Sequence, residues 1–569
     1  MPTASAALLE ALVEAGIDYL FVNLGSDHPP LVEALASAET AGTPVPRLIT
    51  CPNEMVGLSA AQGFAQISGR PQAVLVHVEC GTQALAGAVH NAAKGRAPVL
   101  IIAGASPVTQ EGELPGSRNE FIHWIQDVHD QRGLVRGYVK YDAEIRSGRN
   151  IKQMVHRALR FATSAPKGPV YLMAAREVLC EEVDEVAVDM AHWAPLRPRA
   201  LTAEDATAIA SDLARAERPL VVTSYLGRNP RAVPVLQRLA EMLGLGVLES
   251  APSALNFPTS HPLYQGNQWN HPFQNPSLAE ADCILVVDSD VPWIPTVSRP
   301  RAGVIIHHID VDALKAQMPL WYIPAVTSHD ADAEVALGQI LAAAEHLPLD
   351  PARIAASTAA WQRLHDARAG RLACLEADRT ALTGEIVTAA VRAFIDDTTI
   401  VLNEGISHYH TIIDHLGLDR PGAIHASGGG SLGWHGGAAI GAKLAAPDAT
   451  VVALTGDGSY MFSVPSSVHW MARRYGTPFL TVVYNNGGWK SPKLSTLAVH
   501  PDGLAARGHD IGVSFDPPAD YAGIAAAAGG ALAFSVRTVE ELDTALALAF
   551  PAVRRDGRSA VIDAHVTPL

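Results

Sequence analysis

The chain has 569 residues, 48% hydrophobic and only 18% charged, which excludes a disordered chain and provides apolar mass for large buried cores. Lysine and arginine number 42 against 58 aspartate and glutamate, a formal charge of −16, so the basic surface of a nucleic-acid binder is excluded. The five cysteines are scattered without a CxxC pair, so neither a disulfide framework nor a zinc site is expected. The N-terminal segment has no basic stretch followed by an apolar run, and no apolar stretch reaches the roughly 18 residues of a membrane span. The expectation is a cytoplasmic enzyme with no membrane contact.

From the N-terminus, short apolar runs predict strands at Tyr19–Asn23, Ala73–His77, Val99–Ala103 and Val170–Met173. Helical patterns fall between them near Pro30–Ser37, Glu54–Ile67, Thr82–Lys94 and Ile151–Thr163. Trp193-Ala-Pro-Leu-Arg-Pro-Arg then reads as a linker. A second block has strands at Pro219–Thr223, Gly246–Glu249, Cys283–Asp288 and Gly303–Asp310, with helices near Ala232–Leu243 and Asp332–Glu345. A polar helical bridge, Leu347–Arg379, leads to a third block. Its strands lie at Thr399–Asn403, Ala423–Ala426, Thr450–Thr455, Phe479–Asn485 and Ser559–Ala564, and its helices near Thr383–Ile395, Gly436–Leu444, Pro465–Tyr475 and Val539–Phe550. Strand–helix alternation predicts the α/β class: three doubly wound parallel-sheet domains at 1–188, 196–345 and 375–569, the first and third alike.

The third block carries the most specific signal. Gly456-Asp457-Gly458-Ser459 ends one predicted strand, and Asn485-Asn486-Gly487-Gly488-Trp489 ends the next. Turns at the carboxyl ends of parallel strands are where open α/β sheets bind ligands. Gly456 and Gly458 let backbone approach a phosphate, and Ser459 adds a hydroxyl at a helix start. Asp457, the Asn486 side chain and the Gly488 carbonyl offer hard oxygens of the kind Mg²⁺ takes, with a bound diphosphate and a water completing six. Either turn alone is ordinary; both together on adjacent strands point to a metal–diphosphate site.

This pair of turns resembles the signature of thiamine-diphosphate enzymes, specifically the acetolactate synthase, benzoylformate decarboxylase and pyruvate decarboxylase group. The resemblance implies an N-terminal pyrimidine-binding domain, a central domain and a C-terminal diphosphate-binding domain. It also implies that Asp457, Asn486 and Gly488 hold Mg²⁺, while Gly456, Gly458 and Ser459 lie against the diphosphate. Cys51-Pro-Asn-Glu-Met resembles the family turn whose glutamate, here Glu54, sits against the pyrimidine N1′ nitrogen. Ser427-Gly-Gly-Gly-Ser-Leu-Gly433 is similar to the segment that bends the cofactor: Leu432 lies under its two rings, and the Gly430 carbonyl accepts from the 4′-amino group. Gly428, Gly430 and Gly433 also satisfy GxGxxG, but no acid follows at the spacing a dinucleotide site needs.

Toward the substrate, Leu24-Gly-Ser-Asp-His resembles the benzoylformate decarboxylase stretch whose serine, here Ser26, binds the substrate carboxylate. His77 falls on that family's proton-shuttling histidine, and Ser407 on a diphosphate-binding serine. His28 and His271 are the next candidates to line the cavity, ahead of Asp27, Glu79, Ile406, Tyr409, His410, Trp489 and Lys490. Departures narrow the activity. The paired histidines of pyruvate decarboxylase are absent, and Asp288-Ser-Asp-Val-Pro replaces the stretch typical of flavin-containing acetolactate synthases, so FAD is not expected.

The expected function is cleavage or formation of a carbon–carbon bond on a 2-oxo acid or 2-hydroxy ketone, in a homodimer or homotetramer with sites between subunits. The alternatives are an acetolactate-synthase-like carboligase, a non-catalytic cofactor-binding paralogue, and a flavin or nicotinamide dehydrogenase raised by the glycine run.

Overall fold

The computed structural model describes residues 1–508 and 511–568. Three six-stranded sheets follow one another along the chain, each wholly parallel and flanked by helices. The first contains β1 (Tyr19–Val22), β2 (Arg47–Thr50), β3 (Gln72–Val76), β4 (Val99–Ala105), β5 (Asp142–Ile145) and β6 (Val170–Ala175), in the order 2-1-3-4-6-5. The second contains β7 (Pro219–Thr223), β8 (Gly246–Ser250), β9 (Tyr264–Gln268), β10 (Cys283–Val287), β11 (Ile305–Asp310) and β12 (Thr327–Asp330), in the order 12-11-10-7-8-9. The third contains β13 (Thr399–Glu404), β14 (Ile424–His425), β15 (Thr450–Gly456), β16 (Leu480–Asn485), β17 (Leu532–Val536) and β18 (Ala560–His565), in the order 14-13-15-16-18-17.

The central strands β3, β4, β7 and β10 are buried along their whole length. Helices on both sheet faces leave no polar side for alternation, so these strands are near-continuous apolar runs. A helix over Pro351–Ala377 spans the predicted polar bridge, started by Asp350, which accepts from the amides of Ala352 and Arg353. Among the described residues, no helix is long and apolar enough to cross a membrane, and all five cysteines are free thiols.

The first and third sheets are joined through two helices, Glu54–Ser68 and Trp434–Ala445, which pack with their N-termini at the same end. Their backbones nearly touch. A Cβ at Gly441 would overlap the Ala60 carbonyl, one at Gly437 would press on the Val56 carbonyl, and one at Gly63 would overlap Ala438. Val56, Ala60 and Phe64 share one hydrophobic core with Trp434, Ala438 and Ile440. The central unit is tied in by ions: Arg96 reaches Asp310 at 2.8 Å and donates to the Tyr225 hydroxyl, while the buried Lys315 contacts Asp310 at 2.6 Å and Asp290 at 2.7 Å.

Gly441→Val is therefore expected to destabilise the protein by about 2–3 kcal/mol, because the added methyls meet backbone that cannot yield. Gly338→Ala, inside the helix Ala333–Ala344 with open space around its Cα, is expected to stabilise by roughly 0.5–1 kcal/mol. Urea unfolding midpoints check both, and an unchanged midpoint for Gly441→Val contradicts the close helix crossing.

Candidate active site

Two groups of side chains form at the carboxyl ends of neighbouring strands, one in the first sheet and one in the third. In the first sheet, β2, β1 and β3 are adjacent and end near Glu54, Asn23–His28 and His77 respectively. Glu54 opens its helix behind an Asn53 cap, and Asn23 Nδ2 donates to Glu54 Oε1 at 2.8 Å. Asp27 is wholly buried. Its Oδ1 lies 2.6 Å from His77 Nδ1 and 3.1 Å from His28 Nδ1, and its Oδ2 accepts from the Val78 amide at 3.0 Å. Two glycines make room for this pair: a Cβ at Gly25 would overlap the His77 ring, and one at Gly104 would overlap the Asp27 carboxylate.

The charges follow from these contacts. Burial acts to raise the Asp27 pKa, but the His77 hydrogen bond, the charges of His28 and His77, and the Val78 amide bring it below the usual value. The Asp27 hydrogen bond raises the His77 imidazole against its own desolvation, with the Asp27 charge and smaller contributions from Gln126 and Glu54 adding to the rise. Desolvation instead lowers His28, whose Nδ1 accepts from the Gly25 amide at 3.0 Å. His77 is thus the imidazole whose protonated form is favoured, with Nδ1 bound to Asp27. The Ser26 hydroxyl is buried and has no hydrogen-bond partner among the described residues. The Ser26 carbonyl is held by buried Arg176 at 2.9 Å.

In the third sheet, the ends of β13, β15 and β16 are adjacent. Asp457 begins the short helix Asp457–Phe462; its Oδ1 accepts from the Gly458 amide at 2.8 Å and its Oδ2 from the Gly487 amide at 2.9 Å, so the two motif turns are bonded to each other. Asn486 Oδ1 accepts from Gly488 at 3.3 Å, and Asp457, Ser459 and Asn486 are buried. A Cβ at Gly458 would overlap the Trp489 indole. Burial raises Asp457 to about 6 despite its backbone amides, and no cationic side chain among the described residues lies within ion-pair distance of it. No cluster of three or more His, Cys, Asp or Glu able to hold a metal occurs among the described residues. One buried, uncompensated carboxylate with the Asn486 and Gly488 oxygens beside it fits a hard divalent cation that takes its remaining oxygens from a ligand.

Ser407 lies in the turn Ile406–His408 after β13, and Gly430 and Leu432 lie in the loop between β14 and the Trp434 helix. His271 does not join the Asp27 group; its ring packs at 5.0 Å against His410 on the helix Tyr409–Leu416. Lys490 is half-buried, and its charge, after burial, helps to hold His408 down at about 4. No hydrogen bond or ion pair among the described residues joins the Glu54–His77 group to the Asp457–Asn486 group. Two polar supports carry no motif of their own. One is Asn23 under Glu54. The other is Glu404, which accepts from the Trp434 and His435 amides at 3.0 and 2.9 Å and contacts His435 Nδ1 at 2.6 Å. A carboxylate closing a buried strand, as in Asn403-Glu404-Gly405, is the only sequence sign of the latter.

Comparison with known proteins matches three stretches of the chain to family models. Residues 2–134 match the model of the thiamine pyrophosphate enzyme N-terminal TPP binding domain, 206–322 the central domain, and 405–564 the C-terminal TPP binding domain. The chain belongs to the thiamine pyrophosphate enzymes. It is similar to a benzoylformate decarboxylase of Pseudomonas aeruginosa, 26% identical over 97% of this chain and 98% of that one. It is 26% identical to an acetolactate synthase large subunit of Parasynechococcus marenigrum, over 85% of this chain and 76% of that one. Among solved structures, the thiamine diphosphate-dependent 4-hydroxybenzoylformate decarboxylase of Rhodococcus jostii has the same fold, with a TM-score of 0.78 at 22% identity and full coverage of both chains. This thiamine pyrophosphate enzyme is thus of the decarboxylase and acetolactate synthase type.

The Asp27–His77 pair gives a pH prediction. With its pKa raised in the folded state, His77 contributes stability that is fully present below the unfolded value of about 6.5. That contribution is lost as pH rises through the folded value. In Asp27→Asn the His77 titration, followed by imidazole NMR, should move to lower pH and this pH-dependent stability should vanish. An unmoved titration contradicts the pairing.

Proposed function

We propose that the enzyme uses thiamine diphosphate and Mg²⁺ to cleave or form the carbon–carbon bond beside the carbonyl of a 2-oxo acid or 2-hydroxy ketone, with a benzoylformate-decarboxylase-like site. The observation that carries this reading is the buried, unpartnered Ser26 hydroxyl, one residue before the Asp27 carboxylate that is hydrogen-bonded to His77. That combination suits a substrate carrying both a carboxylate and a carbon that must gain or lose a proton. The similarity to a benzoylformate decarboxylase along nearly the whole chain supports it.

When bound, thiamine diphosphate supplies the electron sink for breaking the bond beside the carbonyl. The chain does the rest. Ser26 Oγ donates to the substrate carboxylate, and His77 Nε2 carries the proton to or from the reacting carbon. Glu54, braced by Asn23, would hold the pyrimidine ring of the cofactor, and Leu432 would support it. Asp457 and Asn486 side-chain oxygens and the Gly488 carbonyl would hold Mg²⁺, and Gly456, Gly458, Ser459 and Ser407 would hold the diphosphate. His28, its Nδ1 accepting from the Gly25 amide, orders the loop, while His271 stands apart from this group, packed on His410.

Among the described residues no hydrogen bond or ion pair joins the two groups within one chain, and Phe121 and Ile125 stand 89% and 77% exposed on the N-terminal unit. A dimer in which one chain's Glu54 group faces its partner's Asp457 group accounts for both facts.

CO₂ release and acyloin formation over a panel of 2-oxo acids test the reading. Decarboxylation with little acyloin is expected; acyloin as the main product moves the assignment to an acetolactate-synthase-like carboligase, and no turnover on any carbonyl substrate removes it. Glu54→Gln is expected to lose about 10²-fold or more of kcat while still folding, and Asp457→Asn to lose Mg²⁺-dependent retention of thiamine diphosphate. Mixing these two variants and reassembling them should restore up to about a quarter of native activity if sites lie between subunits, since half of random dimers carry one intact site. No recovery places the site within one chain.

A further inference from the structure

The loop that carries Gly430 and Leu432 is built mostly of glycine, and its own backbone offers little to hold it. It is held from outside. Gln66 Nε2 donates to the Ala426 carbonyl at 2.9 Å, Gln62 Nε2 to the Ser427 carbonyl at 2.8 Å, and the Gly430 amide donates to His90 Nε2 at 3.0 Å. The closest grip is that of Asn91, 1% exposed in the helix Ala86–Lys94. Its Oδ1 accepts from the Ser431 amide at 3.0 Å, and its Nδ2 donates to the Ser431 carbonyl at 2.7 Å. Glycines clear the approach: a Cβ at Gly87 would press on the Ser431 hydroxyl, one at Gly429 on Asn91 itself, and one at Gly95 would overlap the Ser427 carbonyl.

The consequence follows from peptide geometry. The Ser431 N–H and the Gly430 C=O belong to one planar trans peptide and point in opposite directions. Anchoring that N–H on Asn91 turns the Gly430 carbonyl away from the helix, and Gly430 is exposed on that side. The second bond anchors the next peptide plane, which carries the N–H of Leu432. One buried amide thereby sets the aim of one carbonyl and the placement of the side chain two residues further on.

We propose that Asn91 is a positioning residue that aims the Gly430 carbonyl at the 4′-amino group of bound thiamine diphosphate and places Leu432 beneath it. This rests on the roles given above to Gly430 and Leu432. A side chain that only stabilised the fold would affect every ligand of the site alike, whereas one that aims this carbonyl affects only ligands carrying the amino group.

Calorimetric titration of the cofactor-free protein, in excess Mg²⁺, with thiamine diphosphate and with its 4′-deamino analogue separates these cases. The proteins are the native chain, Asn91→Leu and Asn91→Asp. Asn91→Asp keeps the volume and one acceptor but sets an oxygen against the Ser431 carbonyl, so it serves if Asn91→Leu does not fold. Native protein is expected to prefer thiamine diphosphate. Each variant is expected to lose about tenfold in affinity for thiamine diphosphate, the scale of one well-placed hydrogen bond, while binding the analogue within about twofold of native. Equal losses for both ligands overturn the positioning role and leave the cofactor reading standing. Native protein that binds both ligands equally overturns the role of Gly430 and this proposal with it, and native protein that binds neither overturns the cofactor reading itself.

Discussion

Two helices whose backbones nearly touch set the frame on which everything else is hung. Gly63, Gly437 and Gly441 remove the Cβ atoms that would hold the Glu54 and Trp434 helices apart, and the apolar side chains around them belong to a single core shared by the first and third sheets. Because each helix follows a strand of its sheet through a short loop, a rigid crossing fixes both starting points. Glu54 at one start and the Leu432 loop before the other are therefore held in register by packing, to which Gln62 and Gln66 of the Glu54 helix add hydrogen bonds to the loop.

Three buried carboxylates near the strand ends show how neighbours decide charge. Asp27 has two imidazoles and a backbone amide, and it stays ionised in spite of burial. Glu404 is met by two helix-start amides and His435, so its needs are met inside the fold. Asp457 has only amides, and burial lifts it to about 6. The protein supplies partners for the first two carboxylates itself and, among the described residues, sets no cationic side chain against the third.

Legibility in the sequence followed burial. Strands β7, β10 and β16 are fully buried, and their apolar runs mark them within a residue or so. The strands with no such run are β2, β5, β9, β12 and β17. β12 alternates half-buried and exposed residues throughout, β17 does so until it ends on buried Val536, and β9 is buried but spelled Tyr-Gln-Gly-Asn-Gln. The predicted helix Thr82–Lys94 is in fact two, Val78–Ala84 and Ala86–Lys94. The first starts directly after His77 because the Val78 amide is capped by Asp27. Glu54, Asp457 and Asn486 were legible because each sits in a local motif. The bond between Asp27 and His77 spans 50 residues, and that between Asn91 and Ser431 spans 340, so only the fold brings those partners together.

The first and third sheets share one strand order, 2-1-3-4-6-5, so their strand ends correspond. Ser26 and Asp27 follow the first strand of one sheet as Glu404 and Ser407 close or follow the first of the other. Glu54 and Leu432 both follow the second, and His77 and Asp457 both follow the third. The crossing helices are themselves counterparts. The chain thus has the form of a duplicated unit whose corresponding positions have parted ways, one copy placing an Asp–His pair at its strand ends and the other a buried carboxylate ringed by backbone amides.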